Sequence, residues 1–160
     1  MGLFTSDAAL GLLRGAAAGA AGTTALNAVT YLDMVLRARG SSSTPEQTVE
    51  AVEAKTPWRI AGDQEQRSNR LSGLGALTGV AAGVGTGAIL GLLSAGGFRP
   101  GSVVGGLIAT IGALLVGNGP MTVLGVTDPR KWTTADWVSD VVPHVAYGAV
   151  TAATLHAFGS

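Results

Sequence analysis

The sequence predicts an all-α protein, a four-transmembrane-helix bundle packed through rows of glycine and alanine. Three observations predict it. Charged residues make up only 12% of the 160-residue chain, about half the share of roughly 25% usual in soluble domains. They are also segregated: Leu71–Phe98 and Pro100–Thr127 contain no Asp, Glu, Lys, Arg or His, and each run exceeds the ~20 apolar residues that cross a hydrocarbon core. Finally, Gly75, Gly79, Gly83, Gly87 and Gly91 recur every four residues, although in water each helical glycine costs about 1 kcal/mol relative to alanine.

Composition excludes several function classes. The formal net charge of +0 offers no basic field, so no nucleic-acid partner is expected. Without cysteine there is no disulfide, thiolate nucleophile or Cys-based zinc site. His144 and His156 are too few for an all-histidine metal cage, and no metal or cofactor is expected. The mean hydropathy of +0.40 is modest because Ala and Gly stand where Leu and Val are usual. That keeps a soluble Ala/Gly-rich helical protein as the competing reading.

The elements follow in order as one integral membrane domain over 1–160. The first span, about 10–36, centres on the uncharged run Gly15–Leu32 between Arg14 and Asp33. It lacks a basic region before Leu10 and is too long and glycine-rich for a signal sequence, so it reads as retained. A connection over 37–70 follows. In it "STPEQTVEAVEAK" predicts a short surface helix over about 45–54, with Thr44 as N-cap, Pro45 at N1 and Gln47 at N3. Trp58 and Ile60 suit an anchor at the headgroups. The second span covers about 71–97 and the third about 101–126, joined by the short turn "GGFRPG", which predicts a tight antiparallel hairpin. After the turn at Asp128-Pro129, Thr133 or Thr134 caps the fourth span, about 134–158, with Trp132 and Trp137 bracketing its start.

The glycine rows read as packing surfaces. In lipid, helices associate through close backbone approach, which small residues four apart permit. The second span offers Gly75, Gly79, Gly83, Gly87 and Gly91, and the third Gly101, Gly105, Ala109, Ala113 and Gly117. The first begins a similar row with Gly11, Gly15 and Gly19. Whether these faces meet each other, a second copy or another protein is open at this level.

Charge sets the topology. Connections one and three hold eight basic residues, Arg37, Arg39, Lys55, Arg59, Arg67, Arg70, Arg130 and Lys131, against Arg99 and Arg14 on the other side. The positive-inside tendency places both connections in the cytoplasm and both termini outside.

Chemistry would fall to the fourth span, where Asp136, Asp140, His144, Gly148, Ala152 and His156 form a four-residue row. Asp140 lies about 9 Å and His144 about 15 Å inward from Thr134 at 1.5 Å per residue. Tyr147 stands nearly above His144, and Pro143 is expected to bend the helix. Asn27, Tyr31 and Asp33 on the first span and Asn118 and Pro120 on the third converge at the same depth. An intramembrane carboxylate must face the bundle or water. One reading is a polar pocket or proton path with Asp140 and His144 titrating, and with the Gly-Asn-Gly-Pro stretch as an interrupted helix of transporter type. The favoured reading is plain interhelical hydrogen bonding. No nucleophile elbow, phosphate loop or metal spacing supports an enzyme.

The segment "LGVTDPRKWTTADWVSDVVPHVAYG" resembles small multi-pass inner-membrane proteins of the YagU-like type, with Gly125, Thr127, Pro129, Asp140 and His144 in the matching places and aspartate where glutamate is expected. The Ala/Gly-rich style and "GTTALNAVTYLDM" also resemble uncharacterised actinobacterial membrane proteins. The resemblance implies an inner-membrane setting and an association with acid tolerance. The expectation is therefore a non-enzymatic, accessory or self-associating plasma-membrane subunit in contact with the lipid bilayer, as a homo-oligomer or within a larger complex. The alternative is a small proton-linked transporter or channel.

Overall fold

The computed structural model describes residues 2–159, with side chains from Ser6 onward. Met1 and Ser160, the termini predicted to lie outside, are beyond the described residues. The described chain is helical, with no strand: α1 Gly2–Arg37, α2 Thr44–Lys55, α3 Gln64–Ala95, α4 Ser102–Val123 and α5 Thr134–Ala157. A short 3-10 turn, Pro129–Lys131, precedes α5.

Local chemistry sets the helix ends, and several differ from the sequence expectation. α3 starts at Gln64, well before the predicted 71, because Asp63 and Gln66 form a reciprocal capping box. The α2 cap is Ser43 rather than Thr44: the Gln47 N–H reaches the Ser43 carbonyl at 3.0 Å and Gln47 Nε2 reaches Ser43 Oγ at 2.9 Å. Thr133 caps α5, as one of the two expected threonines, in a box with Asp136. α3 and α4 each stop ahead of the predicted end because a glycine takes the left-handed conformation, Gly97 at φ +96° and Gly125 at φ +76°. The next N–H then folds back, Phe98 to the Leu93 carbonyl and Val126 to that of Met121, both at 2.9 Å. α4 is not interrupted at Asn118–Pro120. Pro120 withholds one donor near the helix end, and its own carbonyl accepts Leu124 N–H at 2.9 Å.

The helices do not pair in the order the short turn suggested. α3 and α4 touch over a short stretch only, whereas α1 makes the largest contact with α3 and then with α5, and α4 packs chiefly on α5. The expected tight α3–α4 hairpin is thus replaced by two antiparallel seams, α1–α3 and α4–α5. The reason is competition for the glycine face of α3, which α1 occupies.

In the α1–α3 seam, Gly11, Gly15 and Gly19 face Gly91, Gly87 and Gly83. A Cβ on Gly87 would lie 2.5 Å from Gly19 Cα, and one on Gly91 would lie 2.6 Å from Gly15 Cα. In the α4–α5 seam a Cβ on Gly148 would lie 2.9 Å from Thr110 N. Apart from Tyr147, buried residues of the bundle are correspondingly small, among them Ala18, Thr23, Ala109, Thr110, Ala113 and Thr151. Leucine, valine and isoleucine point outward instead, with Val103 78% and Val123 85% exposed. Among the described residues, two helices, α3 and α4, are long and apolar enough to cross a membrane. The predicted first and fourth spans, α1 and α5, do not reach that threshold; glycine, threonine, Asn27 and the acidic and histidine side chains dilute them.

α2 and the following loop lie on the first turns of α3. Val49, Ile60 and Leu71 form a small apolar cluster against Leu74, and Gly75 lets Pro45 approach, a Cβ there lying 3.1 Å from Pro45 Cβ.

Candidate functional site

The polar residues expected to converge do so in part. Asn118 near the end of α4 donates from Nδ2 to Asp140 Oδ2 at 2.7 Å, tying α4 to α5. One turn along α5, His144 Nδ1 lies 2.6 Å from the Asp140 carbonyl oxygen. A carbonyl only accepts, so Nδ1 carries the proton in this contact. Nε2 is beside Gly117, where a Cβ would lie 3.8 Å away. Asp140 Oδ1 is 3.6 Å from His144 Nδ1, and both side chains are largely shielded.

The other expected members stand apart. Tyr31 is 60% exposed. Asn27 is half-buried, and among the described residues no hydrogen bond joins it to Asp140 or His144. Asp33 instead pairs with Arg37 at 2.8 Å and Arg39 at 2.6 Å, and Arg37 also bonds Ser139 on α5. Tyr147 is fully buried, and its hydroxyl donates to the Gly83 carbonyl at 2.7 Å. Three residues on from His144 it is turned about 60° around the helix, toward the junction of α1 and α3. Its ring occupies a slot that two glycines open: a Cβ on Gly22 would lie 2.8 Å from Tyr147 Cδ2, and one on Gly83 would lie 3.4 Å from Tyr147 Cε2.

The residues read as packing positions divide similarly. Gly83, Gly87 and Gly91 lie in the α1–α3 seam, Gly75 meets α2, and Ala109 is fully buried. Gly105 makes ordinary contact with Ala152, a Cβ there lying 3.7 Å from Ala152 Cβ. Gly79 and Gly101 face open space, so they belong to neither seam. Within α4 the tightest partner of α5 is Gly106 with Thr110 rather than the Gly101 and Gly105 positions.

Sequence reasoning missed the ionic clasp between α2 and α3. Glu53, only 7% exposed, accepts Ile60 N–H at 2.7 Å and two hydrogen bonds from Arg67 at 2.6 and 2.9 Å. Arg59 donates to the Glu53 carbonyl at 3.0 Å. The Arg67 guanidinium, then the Ile60 N–H, holds the Glu53 carboxyl down to about 2. The signal was Glu53 at the fourth position from Val49, on the side of α2 that the apolar edge marks as inward.

The assembled cluster, Asn118, Asp140 and His144, can hold α4 against α5 through the amide on the carboxylate, and it sets the Asp140 carboxylate 3.6 Å from the imidazole, beyond direct hydrogen-bond reach for a proton path. A continuous path further along the bundle would need Tyr147, whose hydroxyl is committed to Gly83. Among the described residues no group of three His, Asp, Glu or Cys could hold a metal ion. No family model, curated protein or solved structure matches the chain.

Proposed function

We propose that the chain is a four-span plasma-membrane protein without enzymatic activity, an accessory or self-associating subunit with connections one and three in the cytoplasm. The observation that carries this reading is the inverted distribution of side chains. Of the most apolar stretches of α3 and α4, only 22% and 17% is buried, while the helices pack through Gly, Ala and Thr. In water such a surface would aggregate. In a bilayer it is solvated, and the small-residue seams supply association. α1 and α5 are read as spans because the seams hold them antiparallel to α3 and α4 over the same depth. This setting agrees with the one the YagU-like resemblance implies.

Particle mass in a mild detergent, with every co-purifying chain identified, tests the proposal. A homo-oligomer or a stoichiometric foreign subunit supports it; a bare monomer overturns it. The second reading, a proton-linked transporter, draws on the Asn118–Asp140–His144 cluster. It requires that Asp140→Asn and His144→Ala abolish proton flux in liposomes. The accessory reading requires no flux in the parent protein and only a modest loss of stability in the variants.

A further inference from the structure

At the end of the bundle opposite Asp140, beside the turn that joins α3 to α4, a crevice of about 50 Å³ lies between those helices and α5. At about 10–15 Å³ per water-sized group, this admits roughly four such groups, so it takes one end of a ligand and not a whole molecule. Its walls are apolar, with Leu90 from α3, Ile108 from α4 and Leu155 from α5. Its lining also carries Arg99, His156 and Ser102, with no Asp or Glu among the described residues that line it. Arg99 is the one basic residue in the α3–α4 connection. Among the described residues its hydrogen bond is from Nε to the Ser94 carbonyl at 3.4 Å, which leaves the donors of the forked end for a ligand.

We infer that this crevice is a binding site for an anionic phospholipid, whose phosphate sits on Arg99 while the first part of an acyl chain enters between Leu90, Ile108 and Leu155. Charge selects the headgroup: a guanidinium matches a phosphate with two parallel hydrogen bonds, and no Asp or Glu among the described lining residues opposes it. The apolar gap selects a chain, because an unfilled apolar space forfeits the contacts its walls would otherwise make. A free anion would satisfy Arg99 and leave that space empty. The inference rests on the membrane reading above, which places this end at the outer leaflet.

The test is native mass spectrometry of the intact chain in mild detergent, titrated with phosphatidylglycerol and, separately, phosphatidylcholine. The parent protein should retain phosphatidylglycerol about fivefold better, the preference one arginine near a membrane surface supplies. Arg99→Gln, a surface change that leaves the seams intact, should abolish the preference. Gly105→Leu should lower retention of both lipids by filling the crevice from α4. Equal retention of both lipids by the parent, or an undiminished preference in Arg99→Gln, overturns the assignment. So does displacement of the lipid by millimolar inorganic phosphate, which would make Arg99 a free-anion site. Alkaline carbonate extraction separates the two layers of the argument. A chain released from membranes by carbonate removes the membrane reading and this site with it, whereas a retained chain without lipid preference removes the site alone.

Discussion

Two glycines on α3, two turns apart, should respond to the same substitution with opposite signs. Gly87 lies in the α1 seam, where an added Cβ would stand 2.5 Å from Gly19 Cα and 2.6 Å from Gly19 N. Ordinary carbon contacts lie near 3.5–4.0 Å, so Gly87→Ala must push the helices apart by about 1 Å. The displacement cannot stay local, because Gly11, Gly15 and Gly19 interlock with Gly91, Gly87 and Gly83 along the same face. Overpacking of this kind costs about 1–3 kcal/mol, and removing a helical glycine returns about 0.5–1 kcal/mol. The net expectation for Gly87→Ala is a loss of about 1–2 kcal/mol. Gly79→Ala meets nothing within 4 Å and should gain about 0.5–1 kcal/mol. Reversible unfolding in mixed micelles, followed by far-ultraviolet circular dichroism, reads both. If Gly87→Ala proves as stable as Gly79→Ala, the close α1–α3 seam is wrong.

Other substitutions test the remaining joints. Gly148→Ala should destabilise the α4–α5 seam by about 1–2 kcal/mol in the same assay, since its Cβ would press on Thr110 N at 2.9 Å. Gly97→Ala, at φ +96°, should cost about 1 kcal/mol through backbone strain alone. Asn118→Leu removes the amide on Asp140 and should cost about 0.6 kcal/mol, the average for an interhelical hydrogen bond between membrane helices, and at most about 1.7 kcal/mol. Acid should loosen the α2 clasp. The Glu53 carboxyl is held at about 2 against 4.5 in the free residue, so its contribution is complete above about pH 4.5 and is lost as pH falls from there through 2. Trp58 emission, in a background with Trp132 and Trp137 replaced by Phe, should shift across that window, and Glu53→Gln should remove the shift.

Much of this architecture was legible in the sequence, and the illegible part has a consistent cause. Helix existence followed from charge-free runs, and Thr133 was readable as a cap because its hydroxyl and Asp136 stand at the required spacing. The Asp63–Gln66 box has the same spacing, but the helix it starts begins among charged residues, seven positions before the apolar run that marks the span. Depth was readable too: antiparallel geometry alone brings Asn118 level with Asp140. Partner choice was not. A row of glycines specifies a face and says nothing of what lies on it, so the α1–α3 pairing and the idle positions Gly79 and Gly101 emerge only in three dimensions. Tyr147 shows the same limit, since the slot receiving it is made by residues absent from its own helix, Gly22 and Gly83.

α1 explains why the bundle needs α2 at all. Its first half is spent on α3, up to Thr23 against Gly83, and its second half crosses to α5, where Arg37 meets Ser139. A helix that changes partners midway leaves the first turns of α3 without a neighbour on that side; Ser72, Gly73, Ala76 and Leu77 are all exposed. α2 covers the one face there that turns inward, with Pro45 on Gly75 and Val49 on Leu71. So small an apolar contact holds a helix weakly, and the Glu53–Arg67 pair closes the connection at its other end. The clasp and the glycine seam therefore belong to one arrangement: close packing of α1 on the far half of α3 is what makes a second, ionic attachment necessary on the near half. On this argument Glu53→Gln should expose the first turns of α3 to amide exchange while the seam from Gly83 to Gly91 keeps its protection. Equal loosening of both would mean that α2 supports the whole bundle.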